Sequence, residues 1–305
     1  RYQLARPELG EAESEAVRAV IESGWVTQGP KVAEFERAVA DACGAAHGVA
    51  VSSCTTALHL ALLCAGVGPG DEVVVPSMSF IATANAVVHT GATPIFAEVD
   101  GATFNLDVDD VRRRVTPRTK AVIVVHQLGL PADIRGFAQL AQERGLRLVE
   151  DAACAIGSTY GGRPIGSHGD LVCFSFHPRK LLTTGDGGMV LTGSAEHAAR
   201  MRRLRQHGMS ISDLDRHGAD DIVRERYLEV GFNYRMTDLQ AAMGIEQLRR
   251  LPGILAVRRA LAAAYDTARE HDDVVQTPVV PPGVEWNVQT YCVRLTGFDA
   301  ARRAL

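Results

Sequence analysis

Leu171-Val-Cys-Phe-Ser-Phe-His-Pro-Arg-Lys-Leu-Leu-Thr-Thr-Gly-Asp-Gly-Gly-Met-Val-Leu191 reads as a strand, a loop bearing one lysine, and a second strand. Leu171 to Phe174 is an apolar run of strand type, Pro178 breaks it, and Met189 to Leu191 resumes it after the glycines at 185, 187 and 188. Lys180 therefore sits on a loop held at both ends by buried sheet. A loop lysine taken alone is ordinarily solvated. One presented at the end of a sheet is also a candidate for covalent chemistry. Which of the two holds depends on what the rest of the chain brings to the same place.

Upstream, the chain alternates. Residues 7–23 and Val32–Cys43 carry apolar positions at helical spacing, joined by the loop Trp25-Val-Thr-Gln-Gly-Pro30. Strands are expected at Val49–Ser52, Glu72–Val75, Pro94–Val99, Ala121–His126 and Leu146–Glu150, with helices Thr55–Ala65, Ile81–His89, Asp109–Val115 and Asp133–Glu143 between them. That alternation implies an α/β fold with a mostly parallel sheet covered on both faces, which binds ligands at the carboxyl ends of its strands. Downstream come a basic helix Ala195–Gln206, a polar loop His207–Asp221, and Gly231-Phe-Asn-Tyr-Arg-Met-Thr-Asp238 leading into helix Leu239–Leu251. Pro252 and Gly253 are expected to interrupt that helix. A second helix to about Glu270, a Pro-rich link and a strand Thr290–Leu295 complete the pattern. The division expected is a large domain over 1–251 and a smaller α+β domain over 252–305, incomplete at its end.

The composition is that of an ordinary globular protein: 305 residues, 46% hydrophobic, 22% charged, formal net charge −4. The basic residues are scattered, so no nucleic-acid surface is expected. No apolar run approaches the ~18 residues of a membrane span and no signal pattern opens the chain, which reads as cytoplasmic. The cysteines at 43, 54, 64, 154, 173 and 292 form no C-x-x-C pair and suit reduced thiols better than disulfides or a metal site. The chain begins with Arg1 and stops within an apparent helix, as a piece incomplete at both ends would.

Four features converge on Lys180. Glu150-Asp151-Ala-Ala ends a buried parallel strand, where a carboxylate can hold a proton on a heterocyclic nitrogen, or simply cap a helix. Ser52-Ser-Cys-Thr-Thr-Ala57 opens a helix, where backbone N–H groups and the hydroxyls of Thr55 and Thr56 can hold a phosphate. Phe80 follows a strand end, where its face can stack on a planar ring or pack in the core. With the lysine amine, these supply what pyridoxal phosphate requires.

Several motifs in order carry a family resemblance: Ser-Gly-Trp-Val-Thr-Gln-Gly-Pro (23–30), Ser-Ser-Cys-Thr-Thr-Ala-Leu-His-Leu-Ala-Leu (52–62) and Gly-Pro-Gly-Asp-Glu-Val-Val-Val-Pro-Ser (68–77). Val-His-Gln-Leu-Gly-Leu-Pro-Ala-Asp (125–133), Glu-Asp-Ala-Ala (150–153), Ser-Phe-His-Pro-Arg-Lys (175–180) and Phe-Asn-Tyr-Arg-Met-Thr-Asp (232–238) continue it. The chain resembles the DegT/DnrJ/StrS sugar aminotransferases over essentially its whole length. That resemblance implies the three-layer fold of type I pyridoxal-phosphate transferases, with pyridoxal 5′-phosphate as cofactor and pyridoxamine 5′-phosphate as its intermediate form. It implies Lys180 as the Schiff-base lysine, Asp151 paired with the ring nitrogen, Phe80 stacked on the ring, and Thr55, Thr56 and Ser175 at the phosphate. It further implies a homodimer in which Asn233 or Arg235 completes the partner's phosphate site, without deciding between them. Cys154 departs from the pattern, standing where His or Gln is common near the cofactor's phenolic oxygen; a thiol is a weaker donor.

The implied reaction moves an amino group from glutamate or glutamine to a keto-sugar, in the first place one carried on a nucleotide, with ketocyclitols or other ketones as the alternative. An ordinary lysine amine has a pKa of about 10.4, so the site must hold Lys180 in the imine or lower its pKa by burial and cationic neighbours such as Arg179. Sugar dehydratases with His at the lysine position, relatives holding an iron–sulfur cluster, and a non-catalytic regulatory protein are the competing readings; Lys180, Asp151 and the dispersed cysteines speak against them. Trp25, Thr27, Gln28, His126, Gln127 and His177 lie on loops that can border the acceptor, and each also has an ordinary structural role open to it.

Overall fold

The computed structural model describes residues 6–211, 224–270 and 272–296. Seven strands form its central sheet: β1 (His47–Val51), β2 (Glu72–Pro76), β3 (Thr93–Ala97), β4 (Thr119–Val125), β5 (Arg147–Asp151), β8 (Val172–Ser175) and β9 (Gly188–Thr192). Two short strands, β6 (Thr159–Tyr160) and β7 (Arg163–Pro164), lie between β5 and β8 in the chain. The sheet order is β1-β9-β8-β5-β4-β2-β3. Neighbours from β8 to β3 pair in parallel, and β9 runs antiparallel to both β8 and β1. The mostly parallel sheet expected from the alternation is present; the single reversed strand follows from the short lysine loop, which can only return the chain antiparallel.

Alternate strand residues serve the two faces. Val49, Val51, Ile123 and Val190 pack with helices α3 (Cys54–Cys64), α4 (Ala82–His89) and α7 (Ala195–Leu204). On the other face, Ala50, Phe174 and Met189 pack with α2 (Pro30–Cys43) and the long α8 (Asp238–Arg269), and Val122 and Val124 pack with α5 (Val108–Arg114) and α6 (Ile134–Arg144). Helix α1 (Glu11–Ser23) packs on α8. Three layers result, as the resemblance implied.

Two expectations are corrected. Pro252 does not end a helix, because α8 runs unbroken through it for 32 residues. A proline inside a helix forfeits a hydrogen bond at roughly 3 kcal/mol. Here Leu251, Ile254 and Leu255 continue the apolar stripe against the core while Pro252 and Gly253 face solvent, so burial holds the helix together. The strand expected at Thr290–Leu295 is reduced to β12 (Arg294–Leu295), paired with β10 (Val275–Gln276), while β11 (Val284–Glu285) pairs with β6. Thr290 instead donates its N–H to the carbonyl of Leu128 at 3.3 Å, and Val288 joins Leu130, Ala262 and Trp286 in a small core of its own. Residues 212–221 of the expected polar loop and the apparent helix over 301–305 lie outside the described residues.

Candidate active site

The loop between β8 and β9 is pinned at its neck. Phe176 N–H bonds the Gly187 carbonyl at 2.9 Å, Thr184 N–H bonds the Phe176 carbonyl at 3.0 Å, and Lys180 N–H closes a turn onto the His177 carbonyl at 2.8 Å. Phe176, Leu182, Thr183 and Thr184 are buried beneath it. The lysine itself is half-buried, and its Nζ donates to Cys154 Sγ at 2.9 Å. Burial works to lower its pKa, but Cys154, Asp151 and Cys54 together outweigh it, so the net shift is upward. The shift is opposite to the lowered pKa considered above, because the thiol and carboxylate neighbours favour the charged amine.

Asp151 closes β5 and is 5% exposed. Its Oδ1 accepts the Ala153 N–H at 3.1 Å, and its Oδ2 accepts the hydroxyl of Thr83 at 2.9 Å, which in turn meets the Ser79 hydroxyl at 2.8 Å. Thr83, on α4 and 2% exposed, was not singled out from the sequence; its only signal was the distance of three residues from Phe80. A carboxylate this buried, with no cation in direct ion-pair contact among the described residues, calls for a positively charged donor, and a pyridinium N–H is one. Phe80, 79% exposed, lies just before α4.

The start of α3 has the form of an anion cup. Ser53 caps the helix, accepting the Thr56 N–H at 3.2 Å, and Thr56 Oγ1 takes the Ser53 N–H at 3.1 Å. The Thr56 hydroxyl is thus spent partly on the cap, while the first-turn N–H groups of Cys54 and Thr55 have no intrahelical acceptor. Gly188 lies directly against this turn: a Cβ there would stand 2.5–2.6 Å from Ser53 C, Ser53 O and Cys54 N. Ser175 is 8% exposed, its hydroxyl accepting the His177 N–H at 3.4 Å. Ser52 N–H bonds the Tyr234 carbonyl at 2.8 Å, which brings the Asn233–Arg235 segment to the same strand end. Neither the Asn233 nor the Arg235 side chain has a hydrogen-bond partner among the described residues.

The acceptor candidates divide. His126 is corrected toward its structural role: it is 0% exposed, its Nδ1 accepts the Ala132 N–H at 3.1 Å and its Nε2 lies 2.9 Å from Glu150, so it braces two strand ends. Trp25 folds onto its own loop, Nε1 donating to the Gln28 carbonyl at 3.2 Å. Thr27 is exposed, Gln28 is buried, and Asp238 pins the loop by accepting the N–H of Gly29, Lys31 and Val32. Gln127 donates Nε2 to the Met78 carbonyl at 2.6 Å. His177 is exposed, with Nδ1 accepting the Arg179 N–H at 3.2 Å. A cleft of about 840 Å³ beside Lys180 and Cys154 is bordered by Arg6, Arg258, Tyr265 and Tyr291, residues that no motif announced.

A pinned lysine beside a thiol and a buried carboxylate, next to a helix start shaped for an anion, is the set of groups that pyridoxal phosphate requires. The profile of the DegT/DnrJ/EryC1/StrS aminotransferase family matches residues 7–304. The chain belongs to that family. It is 44% identical over 274 residues to the spore coat polysaccharide biosynthesis protein SpsC of Bacillus subtilis, covering 90% of this chain and 70% of SpsC. It is 43% identical over 267 residues to the GDP-perosamine synthase of Caulobacter vibrioides, covering 87% and 69% of the two chains. The solved pyridoxamine-phosphate form of the putative sugar aminotransferase Spr1654 from Streptococcus pneumoniae superposes with a TM-score of 0.94 at 30% identity, covering all of this chain and 82% of that one. Among the described residues no helix is long and apolar enough to cross a membrane.

Proposed function

We propose that this aminotransferase carries nitrogen from glutamate or glutamine to a keto-sugar, in the first place a nucleotide-linked one, and that it works as a homodimer with shared active sites. The observation that carries the reading is the placement of Lys180 Nζ, 2.9 Å from Cys154 Sγ at the carboxyl end of the sheet. The family, and the polysaccharide and perosamine enzymes within it, direct the acceptor toward sugars. Residues 252–305 are read as a smaller domain that borders the acceptor.

When bound, the cofactor supplies an aldehyde carbon that takes the amino group and a ring that takes up the electron pair left at the donor's α-carbon. Lys180 would be the base, its Nζ taking the proton from the donor α-carbon and giving it to the former aldehyde carbon on the other side of the transferred nitrogen. Asp151, oriented by the Thr83 hydroxyl and the Ala153 N–H, would hold a proton on the ring nitrogen. Thr55, Ser175 and the N–H groups at the start of α3 grip the phosphate, with Thr56 fixing the turn that presents them. Phe80 covers the ring. Asn233 or Arg235, neither with a side-chain hydrogen-bond partner among the described residues, is the group offered to the partner subunit's phosphate site.

Absorbance of the purified, cofactor-loaded protein tests the reading. Glutamate should bleach the visible band, and one keto-sugar from a panel of nucleotide-linked sugars, free sugars and ketocyclitols should restore it. Lys180→Ala should lose both half-reactions and all borohydride-reducible label. Turnover retained in that variant refutes the role of the lysine.

A further inference from the structure

The lysine loop is gripped from outside by Trp286-Asn287-Val288-Gln289, a segment in no motif noted above. Gln289 is 8% exposed. Its Oε1 accepts the Leu181 N–H at 3.0 Å and its Nε2 donates to the Arg179 carbonyl at 2.8 Å. These two groups belong to the peptide units on either side of Lys180. One carboxamide thus fixes the peptide plane before the lysine and the one after it.

Asn287, 0% exposed, does the same for the opposite wall. Its Nδ2 donates to the carbonyls of Cys154 at 2.7 Å and Ile156 at 2.8 Å, and its Oδ1 accepts the Gln289 N–H at 2.9 Å. Lys180 and Cys154, the two ends of the Nζ–Sγ contact, are therefore anchored to one four-residue segment. Between the anchors Val288 has φ +54°, a left-handed conformation that a β-branched residue adopts only when its surroundings impose it. Arg258 on α8 imposes it, donating Nη1 to the carbonyls of Val288 at 3.1 Å and Gln289 at 3.2 Å. Room is reserved as well: Gly129 has φ +92°, and a Cβ there would collide with Asn287 Oδ1.

We propose that Gln289, seated by Asn287, is a positioning residue for Lys180 that sets the approach of Nζ to the reacting carbon. It rests on the reading of Lys180 as the Schiff-base amine. A misplacement of about 1 Å can cost on the order of a hundredfold in rate, so a clamp on both flanking peptides has leverage on the chemistry without touching the substrate.

Gln289→Met keeps length and bulk and removes both hydrogen bonds; Gln289→Glu keeps the acceptor for Leu181 and loses the donor, and is read in the same way if the first variant does not fold. Cofactor-free protein is treated with pyridoxal phosphate and borohydride, and label at Lys180 is counted by peptide mapping against time. The labelling rate should fall roughly tenfold in Gln289→Met. The pH at which the visible chromophore of the reconstituted protein titrates should move by about half a unit or more. The kcat should drop with the donor KM within about twofold, as expected for an interaction that acts on the transition state. Leu140→Ala, on the buried face of α6, supplies a destabilised control. An unchanged labelling rate and chromophore titration in Gln289→Met and Gln289→Glu overturns the proposal, as does the same change in Leu140→Ala. Absence of label at Lys180 in the unsubstituted protein overturns the lysine assignment itself, and the clamp with it.

Discussion

Gly188→Ala isolates how the sheet shapes the phosphate cup. Gly188 opens β9 opposite Val51, with no positive φ, so alanine there meets no backbone strain. The added Cβ would stand 2.5 Å from Ser53 C and O and 2.6 Å from Cys54 N, where ordinary contact begins at 3.4 Å. These are backbone atoms of a capped helix start, not the far end of a flexible side chain, so strand and helix must part by roughly 0.9 Å. Overpacking of this kind costs about 1–3 kcal/mol in stability. The larger effect is on the ligand: charge-assisted hydrogen bonds contribute about 1.5–3 kcal/mol each, and two first-turn N–H groups would be displaced together. If half of that is lost, the cofactor Kd rises by about ten- to a hundredfold. Gly185→Ala is the counterpart, with φ +82° but nothing within 4 Å of the new Cβ, so it should lower Tm through strain and leave cofactor affinity alone. Titrating cofactor-free protein with pyridoxal phosphate, followed by absorbance, measures both. A Kd for folded Gly188→Ala within about threefold of the unsubstituted protein would refute the reasoning.

Further outcomes follow from the same geometry. Asp151→Asn should still bind cofactor and lose most activity, since the carboxylate no longer holds the ring proton; Thr83→Val should give a smaller loss, about ten- to a hundredfold in kcat, from one charge-assisted hydrogen bond, and near-normal rates in Asp151→Asn would assign the proton to another group. Cys154→Gln should be tolerated if the position supports only the cofactor's phenolic oxygen, and a large loss confined to acceptor turnover would place the thiol against the substrate. Burial, with the neighbouring His89, pushes the pKa of His59 down to about 4. Its neutral ring, bonded to the Tyr234 hydroxyl at 3.1 Å, therefore contributes stability that is fully present above the unfolded value of about 6.5 and lost as pH falls through 4. In urea unfolding, His59→Gln should remove roughly 2–3 kcal/mol of the stability difference between pH 7 and pH 4, and an unchanged difference would mean that other groups govern acid lability.

The alternation of strands and helices, the strand ends that carry Asp151 and Lys180, and the capped start of α3 were legible in the sequence because each is a local pattern. Periodicity, a breaker residue or a cap announces itself within a few positions. Boundaries moved by a residue or two, as fraying and caps allow, except that the first helix, expected from residue 7, starts at Glu11 behind its N-cap Gly10. Pro252 was misjudged because the cost of a proline is local, whereas the burial of Leu251 and Leu255 that outweighs it comes from α2 and the sheet.

What the sequence by itself determined is the fold class and the chemical identity of the central groups: a lysine on a loop between strands, a carboxylate at a strand end, a helix start rich in hydroxyls. Only the tertiary structure decided which groups serve them. The Thr83 hydroxyl reaches Asp151 across 68 residues of chain, and Gln289 reaches the peptides flanking Lys180 across 108 and 110. A threonine in a helix or a glutamine in a loop has no period and no spacing to betray it; its role is fixed by which backbone groups folding brings within about 3 Å of it. His126 shows the converse. A histidine at the carboxyl end of a strand looks poised for substrate, and only the packing of β4 against β5 turns its ring inward, where its Nε2 lies 2.9 Å from one carboxylate oxygen of Glu150.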